Sequence, residues 1–361
     1  MPVRTAVVTA VSAALGIAVA PAQAQWNVTA LTPPDASTNA FANGTAGGVQ
    51  VGNYGNNPAL WTGTQASHVN MLPAGAHSGQ LLRTDGGQHV GLVRWSGFSD
   101  RQATLWGGTA ASATSLHPAG AFLSTAHGIG GGQQVGEATF TSDQNLTRAG
   151  LWSGTAGSWV SLHPSGVNTS TARGTDGTQQ VGQVNIGGQG NRAAFWSGTA
   201  ASFVNLHPTG YQISIAVAVH NGQQVGLVQG TPGNHAALWS GSAASFLSLT
   251  PAGAFGSSAR GVFNGVQVGT ASFPDAQRAG LWRGTAASWE DLHQYLPAGY
   301  SSSAANSIWS DGTTTYIAGS AFNPATARNE AMLWTYTVPA APTTGVLGLA
   351  GLLAAGRRRT R

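Results

Sequence analysis

The chain has 361 residues, among them 52 Gly and 12 Trp, with 42% hydrophobic and only 7% charged residues. That much apolar and aromatic surface excludes a disordered chain, and the lack of Cys excludes disulfides and thiolate metal sites. The formal charge of +4 belongs to the ends: between residues 25 and 338 ten Arg and no Lys face all 11 acidic residues, which excludes the electrostatic footprint of a nucleic-acid binder.

Residues 1–24 read as a secretory signal peptide. Arg4 forms a short basic n-region, an apolar run covers 6–20, and Ala22-Gln23-Ala24 is a small-residue cleavage site. The apolar run is short for a membrane span. Cleavage is expected between Ala24 and Gln25.

From Trp26 onward the chain repeats. Trp61, Trp106, Trp152, Trp196, Trp239, Trp282 and Trp334 are spaced by 45, 46, 44, 43, 43 and 52 residues. A second landmark, VQVG, QHVG or QQVG, ends in step at Gly52, Gly91, Gly136, Gly182, Gly226 and Gly269, with YIAG at Gly319. Seven copies of a unit in the mid-forties, each with several short strand-like runs, predict a β-propeller of four-stranded blades. Within one unit, 214–219 (SIAVAV) reads as strand one, Asn221-Gly222 as a two-residue turn needing positive φ, and 223–228 as strand two. Strand three is expected at 236–239 and strand four at 246–249. Asp85-Gly86, Asp176-Gly177, Asn264-Gly265 and Asp311-Gly312 are expected to form the same turn in other units.

The first strands are poor in bulk, as in STAHG from Ser124, STARG from Ser170 and SSARG from Ser257. Small residues suit strands that converge on an axis, and the aromatic residues of strands three and four suit the wider spaces between blades. At the ends, 26–33 (WNVTALTP) matches a strand-four pattern and 331–338 (AMLWTYTV) a strand-three pattern. The expected fold is therefore an all-β, seven-bladed β-propeller over 25–338 with four antiparallel strands per blade. The N-terminal strand completes the last blade, which removes the exposed edge.

The unit His235-Ala236-Ala237-Leu238-Trp239, followed by a polar strand, S-x-A, an Asn-Gly or Asp-Gly turn and GQQVG, resembles the HAF family of bacterial extracellular repeats. Its His is replaced by Arg148, Arg192 and Arg278 in three copies. The resemblance implies an exported propeller-like protein and supplies no catalytic residue. The tail 339–361 resembles PEP-CTERM sorting signals: Pro339 and Pro342 lead into an apolar segment that ends in Arg357, Arg358 and Arg359. Pro339-Ala340-Ala341-Pro342 stands where that family has Pro-Glu-Pro. The resemblance implies an exosortase-like sorting enzyme and the export machinery as partners, a membrane contact only through this segment, and a place on the bacterial cell surface or outside it.

Chemistry is sparse. The 11 acidic residues are scattered, and the adjacent pair Glu290-Asp291 points to opposite faces of a strand. His117, His163 and His207 share one position in LHP, with His293 close to it. On separate blades they suit a structural cap better than a shared metal ion, and neither a metal nor a cofactor is expected. Face assignments follow from topology. The turns joining strands one to two and three to four are short, so one face is expected to be plain. The polar loops 96–102, 141–148, 185–192, 229–235 and 274–278 vary, and Arg148, Arg192, His235 and Arg278 beside them are the expected ligand-binding residues. The sequence thus points to a monomeric, non-enzymatic surface or matrix protein acting as an interaction scaffold, with exopolysaccharide or another surface protein as its partner. A carbohydrate-binding propeller is the alternative, needing Trp159, Trp289 or Trp309 exposed. A propeller hydrolase or lyase ranks third.

Overall fold

The computed structural model describes residues 25–33, 37–95, 100–144, 146–231 and 233–338. The segments 1–24 and 339–361, and with them Ala24, Pro339, Pro342, Arg357, Arg358 and Arg359, lie outside the described residues.

Seven four-stranded antiparallel sheets form the seven blades of a β-propeller. Blade 1 runs Ala40–Ala46, Val49–Tyr54, Asn57–Trp61 and Val69–Asn70; blade 5 runs Ile213–His220, Gln223–Gln229, Asn234–Trp239 and Leu247–Ser248. The first strands of blades 2, 3, 4 and 6 are Ser78–Thr84, Ala121–Gly130, Thr169–Thr175 and Gly256–Phe263. Blade 7 consists of Ser302–Ser310, Thr314–Asn323, Arg328–Thr337 and, from the other end of the chain, Trp26–Ala30. The closing strand pairs from Trp26 opposite Tyr336 to Ala30 opposite Met332. The Trp26 indole also donates to Glu290 Oε1 at 2.5 Å, in the fourth strand of blade 6.

The seven landmark Trp are fully buried, each wedged between neighbouring blades. Trp196 of blade 4, for example, shares a cluster with Val135, Leu151 and Leu162 of blade 3. Such a side chain buries enough area to dominate the packing of its interface. Trp159 and Trp289 are half-buried, their rings tilted against Trp152 and Trp282 with centroids 4.7 Å apart. Trp309 is half-buried beside Tyr316. Among the described residues, exposed large aromatics include Trp95, Phe122 and Phe255, at 43%, 54% and 57% exposure.

Two local expectations need correction. The fourth strand of blades 1–6 has only two residues, such as Leu247–Ser248 rather than 246–249. A single 3-10 turn, Ala243–Ser245 in blade 5, takes up the preceding chain. The strand-one-to-two turns also fall into two kinds. Asn221-Gly222 and Asn264-Gly265 are two-residue turns with positive φ at both positions, as a type I′ hairpin requires. In the Asp-Gly copies only the Gly has positive φ, and four residues separate the paired positions Thr84 and His89, Thr175 and Gln180, and Ser310 and Thr315. There the Asp side chain closes the loop: Asp85 Oδ1 accepts from the backbone N–H groups of Gly87 and Gln88.

Candidate functional site

Every first strand carries one register shift at the same place. It falls between Ala42 and Gly44, Leu81 and Arg83, Ala126 and Gly128, Ala172 and Gly174, Ala216 and Ala218, Ala259 and Gly261, and Ala305 and Ser307. A bulge inserts one unpaired residue and re-aims its side chain. The seven inserted residues are Asn43, Leu82, His127, Arg173, Val217, Arg260 and Asn306, and all seven line one cavity of about 320 Å³ on the axis, together with Arg83 and Ser258. The repeated Gly of the second strand belongs to the same device. A Cβ at Gly226 would overlap the Ile215 carbonyl oxygen just before the bulge, and Gly52, Gly91, Gly136, Gly182, Gly269 and Gly319 face the same obstacle.

Three guanidinium groups meet in this channel, from blades 2, 4 and 6. Arg83 Nη1 donates to the carbonyls of Asn43 at 2.6 Å and Leu82 at 2.9 Å. Arg173 Nε donates to Gln183 Oε1 at 2.8 Å, and Arg260 Nη1 to Asn306 Oδ1 at 2.8 Å. Burial, joined by the charge of Arg260, lowers the Arg83 pKa to about 10. Burial also lowers Arg173, against the opposing pull of Glu137, and lowers Arg260. All three remain cations at neutral pH.

Glu137 is the carboxylate whose charge acts on Arg173. It accepts from Arg101 Nη2 at 3.0 Å and Thr171 Oγ1 at 2.8 Å and lies 3.7 Å from His127 Nε2. Burial pushes its pKa up, but His127, Thr171 and Arg101 outweigh that and hold it at about 2. The channel opens among the strand-one-to-two turns into a mouth of about 380 Å³, lined by Asp85, Asp176, His220, Phe263 and Trp309. The face expected to be plain therefore carries the mouth of the channel.

The residues singled out from the sequence sit elsewhere. Arg148, Arg192, His235 and Arg278 occupy one register position near the start of strand three, paired with Ala138, Val184, Val228 and Ala271. Arg192, His235 and Arg278 are held by local partners. Arg192 donates to the carbonyls of Asn191 and Gln212, and His235 bonds Thr250 Oγ1 at 3.1 Å. Arg278 bonds Asp275 and Asp291 and stacks over Phe273. None of the four lines the axial cavity. Of the LHP histidines, His117, His163, His207 and also His293 bond the Ser hydroxyl of the next first strand at 2.7–2.8 Å. That hydroxyl in turn accepts from the backbone of strand three, as Ser214 Oγ does from Ala193 N. Among the described residues no three His, Asp or Glu side chains form a metal-binding group.

Sequence reasoning missed the channel. The signal was present in STAHG, STARG and SSARG, where His127, Arg173 and Arg260 alternate between one constant Ala and one constant Gly. An unbroken period-two strand would send that residue's side chain to a face of the sheet, and the bulge turns it to the axis.

No family profile matches the chain, and no curated protein matches it. Solved structures do resemble it. A prolyl endopeptidase is 11% identical, with a TM-score of 0.54 over 85% of this chain and 51% of its own. A puromycin hydrolase is 12% identical, with a TM-score of 0.50 over 83% of this chain and 56% of its own. The chain thus spans about half the length of these two proteins. The propeller domain of the trilobed protease of Pyrococcus furiosus, described as having an open velcro topology, is 11% identical with a TM-score of 0.53, over 82% of this chain and 96% of its own. At such identities the likeness is one of fold alone: this chain is a seven-bladed propeller.

Proposed function

We propose that the chain is an exported, non-enzymatic binding propeller of a bacterial cell surface or extracellular matrix, and that it recognises its ligand in the axial channel. One observation carries the reading. The frame repeats its Trp, Gly, Ser and Ala positions from blade to blade, whereas the bulged position varies through Asn, Leu, His, Arg, Val, Arg and Asn. A position that faces the cavity in every blade yet holds five different residue types fits selection for a ligand, since packing alone would favour one residue at all seven places. Export is supported by the patterns of 1–24 and 339–361 and by the HAF-like repeats, with an exosortase-like enzyme as the sorting partner.

Replacing Val217, which faces the channel, by Trp should block the lumen while leaving the frame intact. On an array of neutral and acidic oligosaccharides, the wild-type protein is expected to retain ligands that Val217→Trp loses. Carbohydrate recognition on the opposite face is the second reading, favoured by the exposed Phe122 and Phe255, which line grooves among the strand-two-to-three loops. Binding lost in Phe122→Ala or Phe255→Ala and kept in Val217→Trp would move the site there, and turnover of a bound oligosaccharide would contradict the non-enzymatic reading. For export, the N-terminus of the recovered protein should be Gln25.

A further inference from the structure

We infer that the axial channel binds an oxyanion, a carboxylate, sulfate or phosphate group, on the guanidinium forks of Arg83, Arg173 and Arg260; this rests on the channel being the recognition site. The three cations enter one cavity from alternate blades. Among the described residues no carboxylate lies within ion-pair distance of any of them. Their resolved partners are neutral: two carbonyls, one Gln and one Asn. Each such bond fixes one edge of a guanidinium. A guanidinium has five donors in a rigid plane, and that plane matches the two oxygens of an oxyanion.

The carboxylates nearby are already committed. Glu137 is held by Arg101 and Thr171. Asp85 and Asp176, at the mouth, accept from the backbone of their own turns. Like charges gathered away from bulk water are costly unless a counter-charge joins them, and the burial that lowers the pKa of all three Arg is the mark of that cost. An anion entering the channel supplies the missing charge. At the mouth, His220 stacks 4.4 Å from Phe263, and Trp309 lies beyond it, so a ring-bearing acid such as a uronic acid finds an apolar rim above the cations.

The test is isothermal titration of the full chain at low chloride with inorganic sulfate, inorganic phosphate and an oligomeric uronate, together with a neutral oligosaccharide of similar length. Saturable binding of at least one anion is expected, weakened tenfold or more in Arg83→Gln, Arg173→Gln and Arg260→Gln and unchanged in Arg283→Gln on the surface. Arg260→Lys keeps the charge but loses the fork, and should bind between wild type and Arg260→Gln; it also covers the case in which a Gln variant fails to fold. Tighter binding of uronate than of the inorganic ions would identify a polysaccharide source, and the reverse order a free ion. Equal binding by wild type and the Arg variants, or no anion binding, overturns the proposal. Neutral oligosaccharide bound in the channel and lost in Val217→Trp would overturn the anion assignment and leave the binding propeller standing.

Discussion

At the scale of the residue, two side-chain environments are under tension and one glycine position has no alternative. Glu137 has a folded pKa of about 2 against an ordinary value near 4.5. A depressed carboxyl stabilises the fold above the ordinary value, and that contribution disappears as pH falls through the folded one. Glu137→Gln should therefore lower unfolding free energy by about 2 kcal/mol at pH 7, with the gap closing between pH 4.5 and pH 2, as read by urea denaturation at stepped pH. The Arg cluster predicts the opposite sign. In Arg260→Gln the bond to Asn306 can be kept while a repelling charge is removed, so thermal stability at low ionic strength should stay level or rise, as is common where function is held against stability. Gly226→Ala forces a Cβ onto the Ile215 carbonyl. It should cost more than about 3 kcal/mol, or prevent folding, as measured by circular dichroism on heating.

At the scale of the element, the first strand does the most. Its small residues let seven strands converge, and its bulge presents one side chain to the axis. In blades 3 to 7 its Ser ties the blade to the one before: Ser214 Oγ joins His207 Nδ1 at 2.8 Å and Ala193 N at 2.8 Å. Ser214→Ala leaves a buried N–H and an imidazole without that partner, and a loss of about 1–3 kcal/mol is expected in denaturant titration. Hairpins were legible from Asn-Gly and Asp-Gly, because positive φ selects those residues. The split into two turn kinds was not, because it depends on the Asp carboxylate accepting from the backbone of the second and third residues after it rather than on the dipeptide. Strand four was overestimated for a related reason. Ser242-Ala243-Ala244-Ser245 is compatible with an extended run, and the backbone bond from Ser245 N to the Ser242 carbonyl, with Ser245 Oγ accepting from Ser240 N and donating to the Ser242 carbonyl, makes it a turn.

At the scale of the molecule, the blade count and the closure were legible because they rest on repetition and length: seven Trp, seven Gly and one strand-four pattern displaced to the N-terminus. The channel was not, because a register shift leaves hydrophobicity and period almost untouched while reversing where one residue points. Closure carries its own prediction. Removing residues 25–31 takes away the partner of Arg328–Thr337 and exposes an unpaired edge, so the truncated protein should associate or unfold at lower temperature in light-scattering and thermal scans.

The most direct test of the central claim, that the first strands gather an arginine set toward an anionic ligand on the axis, is anomalous diffraction from crystals of the protein soaked in selenate. A selenium peak within hydrogen-bond reach of at least two of Arg83, Arg173 and Arg260 is the predicted result. Selenate bound only on the outer surface, with the channel holding water alone, would contradict it.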